Sequence, residues 1–284
     1  MPRPEITVAS LYFYPVKSCA GINLEEATID SRGIKDDRGW LVVDQNYKFI
    51  TQRESSKLAL IKATVSQSSD SVRELKLEAP GMAPLMVQER TRPDPHCGHA
   101  SHAVKIWNGD AQGIDQGVEA AQWLSQYLGR KAHLLRKRAD DIRDVKSERH
   151  DAPRAEVNFQ DGYPFLIISQ ASLDDLNSKL QKPLPMNRFR PNIVLQGAQA
   201  FGEDNWLTIK IGDLIFEFDA GCPRCTITTI DQETAAKGVE PLKTLATFRQ
   251  QDNKIMFGQN AIHTSSGIIR INDKVEVIKS FSPK

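Results

Sequence analysis

The sequence lacks long apolar runs. The longest, Phe165-Leu-Ile-Ile168 and Trp40-Leu-Val-Val43, are strand-sized and far short of the ~20 residues a membrane helix needs. A membrane span is not expected. Cysteine is scarce: four in 284 residues make no disulfide framework and point to a reducing compartment. Charge of one sign is missing too. Lys and Arg number 37 against 36 Asp and Glu, so no global field draws nucleic acid or an anionic membrane. The start, Met1-Pro-Arg-Pro-Glu-Ile6, lacks the charged-then-apolar order of a signal peptide, and a cytoplasmic location is expected. No unit of roughly 20–50 residues repeats, which excludes solenoids and propellers. No G-x-G-x-x-G or Walker pattern is present, which counts against dinucleotide and P-loop chemistry.

What is present is an ordinary globular composition, 40% hydrophobic and 26% charged. A prior of about 150 residues per domain divides this length into two. Short β-branched or alternating runs fill the first part of the chain, at 6–14, 24–30, 40–44, 58–65 and 75–77. Turn residues separate them at Pro15, Arg32-Gly33, Gln45-Asn46 and 68–71. Three helices are readable. Over 117–128, Val118, Ala121, Trp123, Leu124 and Leu128 share a face, with Asp115 as cap and Gly129 as stop. Over 169–180, Leu173, Leu176 and Leu180 recur at helical spacing, and over 241–250 Leu242, Leu245 and Phe248 do so after Pro241. Strands resume at 192–195, 206–218, 226–230, 254–257, 268–271 and 275–278. Strands dominate and helices are few. The pattern predicts a strand-dominated mixed α/β protein with barrel-like antiparallel sheets. Residues 130–154 hold nine Lys or Arg against five Asp or Glu and read as an exposed connection. The domain change is placed there, giving 1–130 and 131–284.

Cys222-Pro-Arg-Cys225 is the sharpest local feature. A thioredoxin-like dithiol needs its C-x-x-C at the start of a helix, whereas Thr226-Ile-Thr-Thr-Ile230 predicts a strand. Structural zinc needs four ligands, usually from two such pairs, and only one is present. A single thiolate ligand to a soft, high-valent metal and a pair of buried small hydrophobes both remain open. His96-Cys97-Gly-His99-Ala-Ser-His102 offers ligand types for zinc or copper. Its Pro- and Gly-rich surroundings have nothing to fix ligand geometry, and a solvated polar loop is the preferred reading. Tyr14-Pro-Val-Lys17-Ser18-Cys19 leaves the first strand, and Asn187-Arg188-Phe-Arg190-Pro-Asn192 enters another. With Arg38 and Arg224 their cations suit one anionic group, Arg as a planar fork and Lys as a point charge. The 130–154 charges alternate in sign with no aromatic residues to stack bases, so nucleic acid is not an expected partner.

Four ordered motifs carry a resemblance: Tyr14-Pro-Val-Lys-Ser-Cys19; Asp161-Gly-Tyr-Pro164 with Leu166-Ile-Ile-Ser169; Phe189-Arg-Pro-Asn-Ile-Val194; and Cys222-Pro-Arg-Cys225 with Thr228-Thr-Ile-Asp231. Together they resemble the MOSC family with its N-terminal β-barrel domain, in the branch of the amidoxime-reducing components and their bacterial stand-alone counterparts. The resemblance runs from about Val8 to Val277. It implies an N-terminal β-barrel domain followed by a MOSC β-barrel domain. It implies a molybdenum cofactor, a molybdopterin, and not pyridoxal phosphate. The metal-ligand and catalytic thiolate falls on Cys225. Lys17, Ser18 and Arg38 match positions that hold the pterin phosphate. Arg190 and Asn192, Asp161, Gly162 and Tyr163, and the backbone around Pro223 and Arg224 match pterin contacts. Pro223 stands in place of Ser, and Gly162-Tyr163 in place of a Thr-Ser pair.

The implied activity is reduction of N-hydroxylated compounds: amidoximes, hydroxylamines and N-hydroxylated bases, an N-reductive detoxification. Asp161 is the candidate proton relay, being with Tyr163 the titratable group of its motif. No cysteine follows Cys225, so the chain is expected to lack an iron–sulfur domain of its own. Electrons are expected from a ferredoxin, flavodoxin or haem protein with its reductase, docked on the basic 130–154 stretch. The alternative is a cofactor carrier or sulfur-transfer protein working through Cys225.

Overall fold

A computed structural model describes residues 5–67, 72–107, 109–147, 149 and 155–281. The predicted turn at 68–71 and the end of the basic stretch, 148 and 150–154, lie outside the described residues. The strands of the first half are β1 (Thr7–Phe13), β2 (Ile22–Leu24), β3 (Glu26–Asp30), β4 (Gly33–Ile34), β5 (Trp40–Asp44), β6 (Lys62–Gln67), β7 (Arg73–Glu78), β8 (Leu85–Gln88), β9 (Ser101–Ile106) and β10 (Gly109–Asp115). Helix α1 (Val118–Leu128) leads to β11 (Ala132–Lys137) and β12 (Phe165–Ser169). Then come α2 (Gln170–Ser178), β13 (Ile193–Gln196), β14 (Trp206–Ile211), β15 (Leu214–Pro223), α3 (Leu242–Ala246), β16 (Gln250–Gln251), β17 (Lys254–His263), β18 (Gly267–Arg270) and β19 (Val275–Ser280). The protein is strand-dominated, as predicted. No helix among the described residues is long and apolar enough to cross a membrane.

The largest sheet runs β19-β14-β15-β17-β12-β13-β1-β2, with β16 attached to β17. It takes its two last strands from the first half of the chain, while β18 from the far end pairs with β3. A second sheet runs β5-β11-β10-β9. All five residues of β12 are buried, as an apolar run at the centre of a sheet demands. Two cores result. One gathers Val8, Leu11, Ile167, Ile193 and Phe216. The other gathers Trp40, Val42, Leu58, Trp123 and Leu134. Each such side chain contributes roughly 1.5–3 kcal/mol on burial. The segment after β1 crosses between the cores: Lys17 N–H donates to the Trp40 carbonyl at 2.9 Å, and Arg38 N–H to that of Tyr14 at 2.7 Å. Backbone bonds thus tie this seam to the elements on either side of it.

Four sequence expectations fail, the first two for clear physical reasons. The 226–230 run is a short 3-10 turn over Thr226–Thr229, not a strand. The hydroxyls of Thr228 and Thr229 donate to carbonyls three residues back, at 2.9 and 2.8 Å, and this local bonding displaces a ladder. The 130–154 stretch is not simply an exposed connection. Its start is β11, paired with β5 and β10. Arg136, Lys137 and Arg143 are buried. The third predicted helix shrinks to five residues, and 206–218 is a hairpin of β14 and β15. The short strands β8, β9 and β10 escaped a reading that looked for β-branched runs.

Candidate functional site

The seam collects most of the predicted site. Ser18, Arg38 and Arg190 all adopt left-handed backbone, at φ 68°, 49° and 55°. Such conformations cost about 1–3 kcal/mol each and persist where the surroundings over-determine them. The guanidinium groups of Arg38 and Arg190 lie 4.1 and 4.3 Å from the Tyr14 ring centre. Tyr14 is itself buried and donates its hydroxyl to the Pro191 carbonyl at 3.0 Å. Buried Asp37 joins the group. It accepts Tyr14 N–H at 2.9 Å and Asn192 Nδ2 at 3.1 Å, and it pairs with Arg38. Arg190 donates to the Cys19 carbonyl at 2.7 Å. Gln52 bonds the Ser18 carbonyl and Gln232, which also meets Arg190.

A second line of contacts reaches the C-x-x-C. Buried Lys17 donates to the Phe159 carbonyl at 2.7 Å and to Asp161 Oδ1 at 2.6 Å. Trp107 Nε1 donates to the same Asp161 oxygen at 2.7 Å. The Arg53 guanidinium lies 4.9 Å from the Trp107 ring centre and donates to Cys225 Sγ at 3.3 Å. Cys225 is exposed and free, whereas Cys222 is partly buried. Arg224 donates to Cys222 Sγ at 2.8 Å and to the Phe189 carbonyl at 2.6 Å. The two thiols thus face different surroundings.

Family models match both halves of the chain. The MOSC N-terminal beta barrel domain matches residues 5–131, and the MOSC domain matches residues 154–276. The human mitochondrial amidoxime-reducing component 1 is 32% identical over 96% of this chain and 83% of its own length. The chain belongs to the MOSC family. The bovine mitochondrial amidoxime reducing component 2 is 33% identical over 96% of this chain and 80% of its own. A zebrafish molybdenum cofactor sulfurase is 30% identical over 92% of this chain, which spans 32% of that protein.

Electrostatics within this MOSC site are lopsided. Lys17, Arg38, Arg53 and Arg190 stand against the carboxylates of Asp37 and Asp161, and among the described residues neither Arg53 nor Arg190 forms an ion pair. Burial pushes Lys17 and Arg190 below their ordinary pKa values. Burial also pushes Asp37 up, against the pull of Arg38. Asp161 goes the other way. Desolvation by its neighbours opposes the charge, but its side chain is largely exposed, and Lys17, Trp107 and Arg53 together hold its carboxyl below the carboxylate range. Burial raises the Cys222 thiol. Three buried polar atoms nearby lack a partner among the described residues: Asn187 Oδ1, Arg188 Nε and Arg224 Nε. A cleft of about 420 Å³ opens beside Tyr14, Asn187, Arg190 and Gln232.

Not every predicted residue turns inward. The Tyr163 hydroxyl donates to Asp219 Oδ2 at 2.6 Å, and a Cβ added at Gly162 would meet open space. Pro223 is exposed at the end of β15. The His96–His102 loop gathers no metal site: among the described residues no three His, Cys, Asp or Glu side chains cluster. His99 Nδ1 meets the Asp115 carbonyl at 2.9 Å, and His102 stacks on Tyr47 at 3.6 Å. Sequence reasoning missed Asp37, Arg53, Trp107 and Arg143. The last donates to the carbonyls of Asn158, Gln160 and Asp161 at 3.2, 2.6 and 3.1 Å and so fixes the Asp161 loop.

Proposed function

We propose that this seam binds a molybdenum cofactor and that the protein reduces N-hydroxylated compounds. The donor set fits such a group. A free, exposed thiol supplies soft sulfur, the surplus cations suit an anionic, phosphate-bearing group, and buried polar atoms without partners among the described residues suit further hydrogen bonds. Cys225 would give its thiolate to the metal. Lys17, Ser18 and Arg38 would hold the phosphate. Arg190 and Asn192, with the backbone around Pro223 and Arg224, would hold the pterin, whereas the Tyr163 hydroxyl is taken by Asp219 and Gly162 faces open space. When bound, the cofactor supplies the two-electron redox chemistry that turns an N–OH group into N–H and water. The protein's part is orientation. Asp37 fixes Arg38 and Asn192, Tyr14 carries Arg38 and Arg190, and Asp161 anchors Lys17. One Asp161 oxygen is held by both Lys17 and Trp107, which gives the carboxylate an anchoring role whether or not it also relays a proton.

The observation that carries the reading is the exposed Cys225 thiol at the edge of an uncompensated cation cluster. The names of the amidoxime-reducing relatives support the substrate class. Electrons would come from a ferredoxin, flavodoxin or haem protein, in a cytoplasmic setting. Within the basic 130–154 stretch, Arg136 and Lys137 are ion-paired inside the protein and Arg143 is buried against backbone carbonyls, so these three offer that donor no free charge. The test is reduction of benzamidoxime by molybdenum-loaded protein with reduced methyl viologen. Cys225→Ala should abolish turnover and Cys222→Ala should keep most of it, while NADH alone should give none. The sulfurase relative favours a second reading, sulfur or cofactor transfer through Cys225. Transfer to an apo-acceptor without amidoxime turnover would establish that one.

A further inference from the structure

Trp107 stands where local conformation does not favour it. It lies in the turn between β9 and β10, where Ile106 pairs with Gly109, at φ 54°. Tight hairpins favour Gly, Asn or Asp at left-handed positions, and a bulky ring there is strained. Nor is the indole used as core: it is 48% exposed, whereas Trp40, Trp123 and Trp206 are buried. Three contacts nevertheless fix its orientation. Nε1 donates to Asp161 at 2.7 Å. Phe49 meets the ring edge-on at 5.7 Å. Arg53 lies over it at 4.9 Å and touches Cys225 Sγ with the same guanidinium. An oriented, solvent-facing indole therefore stands one side chain away from the thiol. Strain of this kind persists where the side chain has a task.

We infer that Trp107, with Arg53 beside it, is a stacking platform that selects flat, conjugated substrates at the Cys225 centre. Aromatic amidoximes and N-hydroxylated heteroaromatic bases are favoured over saturated analogues of the same size. Indole and guanidinium both present planes that a flat ring can cover. The inference rests on the reductase reading and adds its specificity. Arg53 and Trp107 come from the first half of the chain and Cys225 from the second, so the selectivity would be contributed across the seam.

The experiment compares benzamidoxime with cyclohexanecarboxamidoxime, which differ in flatness and little in size. Reduced methyl viologen is the donor, which keeps protein docking out of the measurement. Trp107→Ala should lower the ratio of kcat/KM values, benzamidoxime over the saturated analogue, by about two- to tenfold, mainly through KM. Trp107→Phe should keep most of the ratio although it too loses the hydrogen bond to Asp161. An unchanged ratio in Trp107→Ala, or a loss in Trp107→Phe as large as in Trp107→Ala, would overturn the platform. A second arm needs no turnover: benzamidoxime should quench wild-type tryptophan fluorescence saturably, and Trp107→Phe should lose that quenching. Saturable quenching without any amidoxime turnover would leave the platform standing and sink the reductase reading. No saturable quenching in the wild type would overturn the platform itself.

Discussion

Two neighbouring carboxylates, Asp36 and Asp37, feed two charge clusters of opposite character. Asp36 pairs with Arg73 and Arg136, both at 2.5 Å, and Glu89 pairs with the same two arginines. Two cations meet two carboxylates, Arg136 stacks on Trp40 at 4.3 Å, and its Nη1 donates to the Gly39 carbonyl at 3.0 Å. No net charge is left over. Asp37, one residue on, serves Arg38 beside Arg190, Arg53 and Lys17, and there the cations exceed the carboxylates. The same ingredients, guanidinium on aromatic with buried carboxylate, yield a closed structural knot on one side and an open cluster with surplus cations on the other. The stoichiometry separates them, since a buried cation without a countercharge is retained at a cost.

The comparison predicts its own breaking points. The largest effect on stability belongs to the closed cluster. Glu89→Ala leaves Asp36 alone against Arg73 and Arg136 and should cost up to about 3–5 kcal/mol, read as a fall in the urea midpoint; a loss below about 1 kcal/mol would mean that the cluster is not closed. In the open cluster the loss should be of ligand instead. Arg190→Ala removes charge-assisted contacts worth roughly 1.5–3 kcal/mol to an anion. Molybdenum content after dialysis should fall, with a smaller shift in the urea midpoint than Glu89→Ala shows. Gly21→Ala attacks the platform under both arginines, because the new Cβ would lie 2.4 Å from the Tyr14 ring. Overpacking of this kind costs about 1–3 kcal/mol, and cofactor occupancy should fall with it. Unchanged occupancy would detach Tyr14 from the site.

His263 gives the smallest effect and a contrast to both clusters. It is buried, its Nε2 faces the Asp30 carbonyl, and its Nδ1 has no partner among the described residues. Burial lowers its pKa below the ordinary 6.5. The folded protein therefore resists its protonation while the unfolded chain accepts it. Its stabilising share is complete above pH 6.5 and is lost as pH falls through and below that value. Unfolding free energy of wild type should decline from pH 7 to pH 5 more steeply than that of His263→Gln. Parallel slopes would show that the ring does not titrate with folding.

The strand-dominated fold was legible because alternation and turn residues mark strands locally, and Trp40–Asp44 is a strand end to end. Cys225, Lys17, Arg38 and Arg190 were legible as chemistry within motifs. Asp37 was not, since nothing in Asp36-Asp37-Arg38 tells which carboxylate turns to which cluster; only the seam between two cores decides it. Arg53 and Trp107 were equally silent. They meet Cys225 and Asp161 across 172 and 54 residues, and no local pattern encodes such contacts. Residues 130–154 misled for the converse reason: charge count suggested exposure, while ion pairing and carbonyl contacts allowed Arg136, Lys137 and Arg143 to be buried.

The open cluster as a cofactor site is the central claim, and metal analysis tests it most directly. Molybdenum and pterin should be measured in protein made by a host competent for cofactor synthesis, in wild type and in a Cys225→Ala, Arg38→Ala double variant. Near one molybdenum per wild-type chain, and almost none in the double variant at unchanged circular dichroism, is the predicted result. Stoichiometric molybdenum retained by the folded double variant, or none in the wild type, would contradict it.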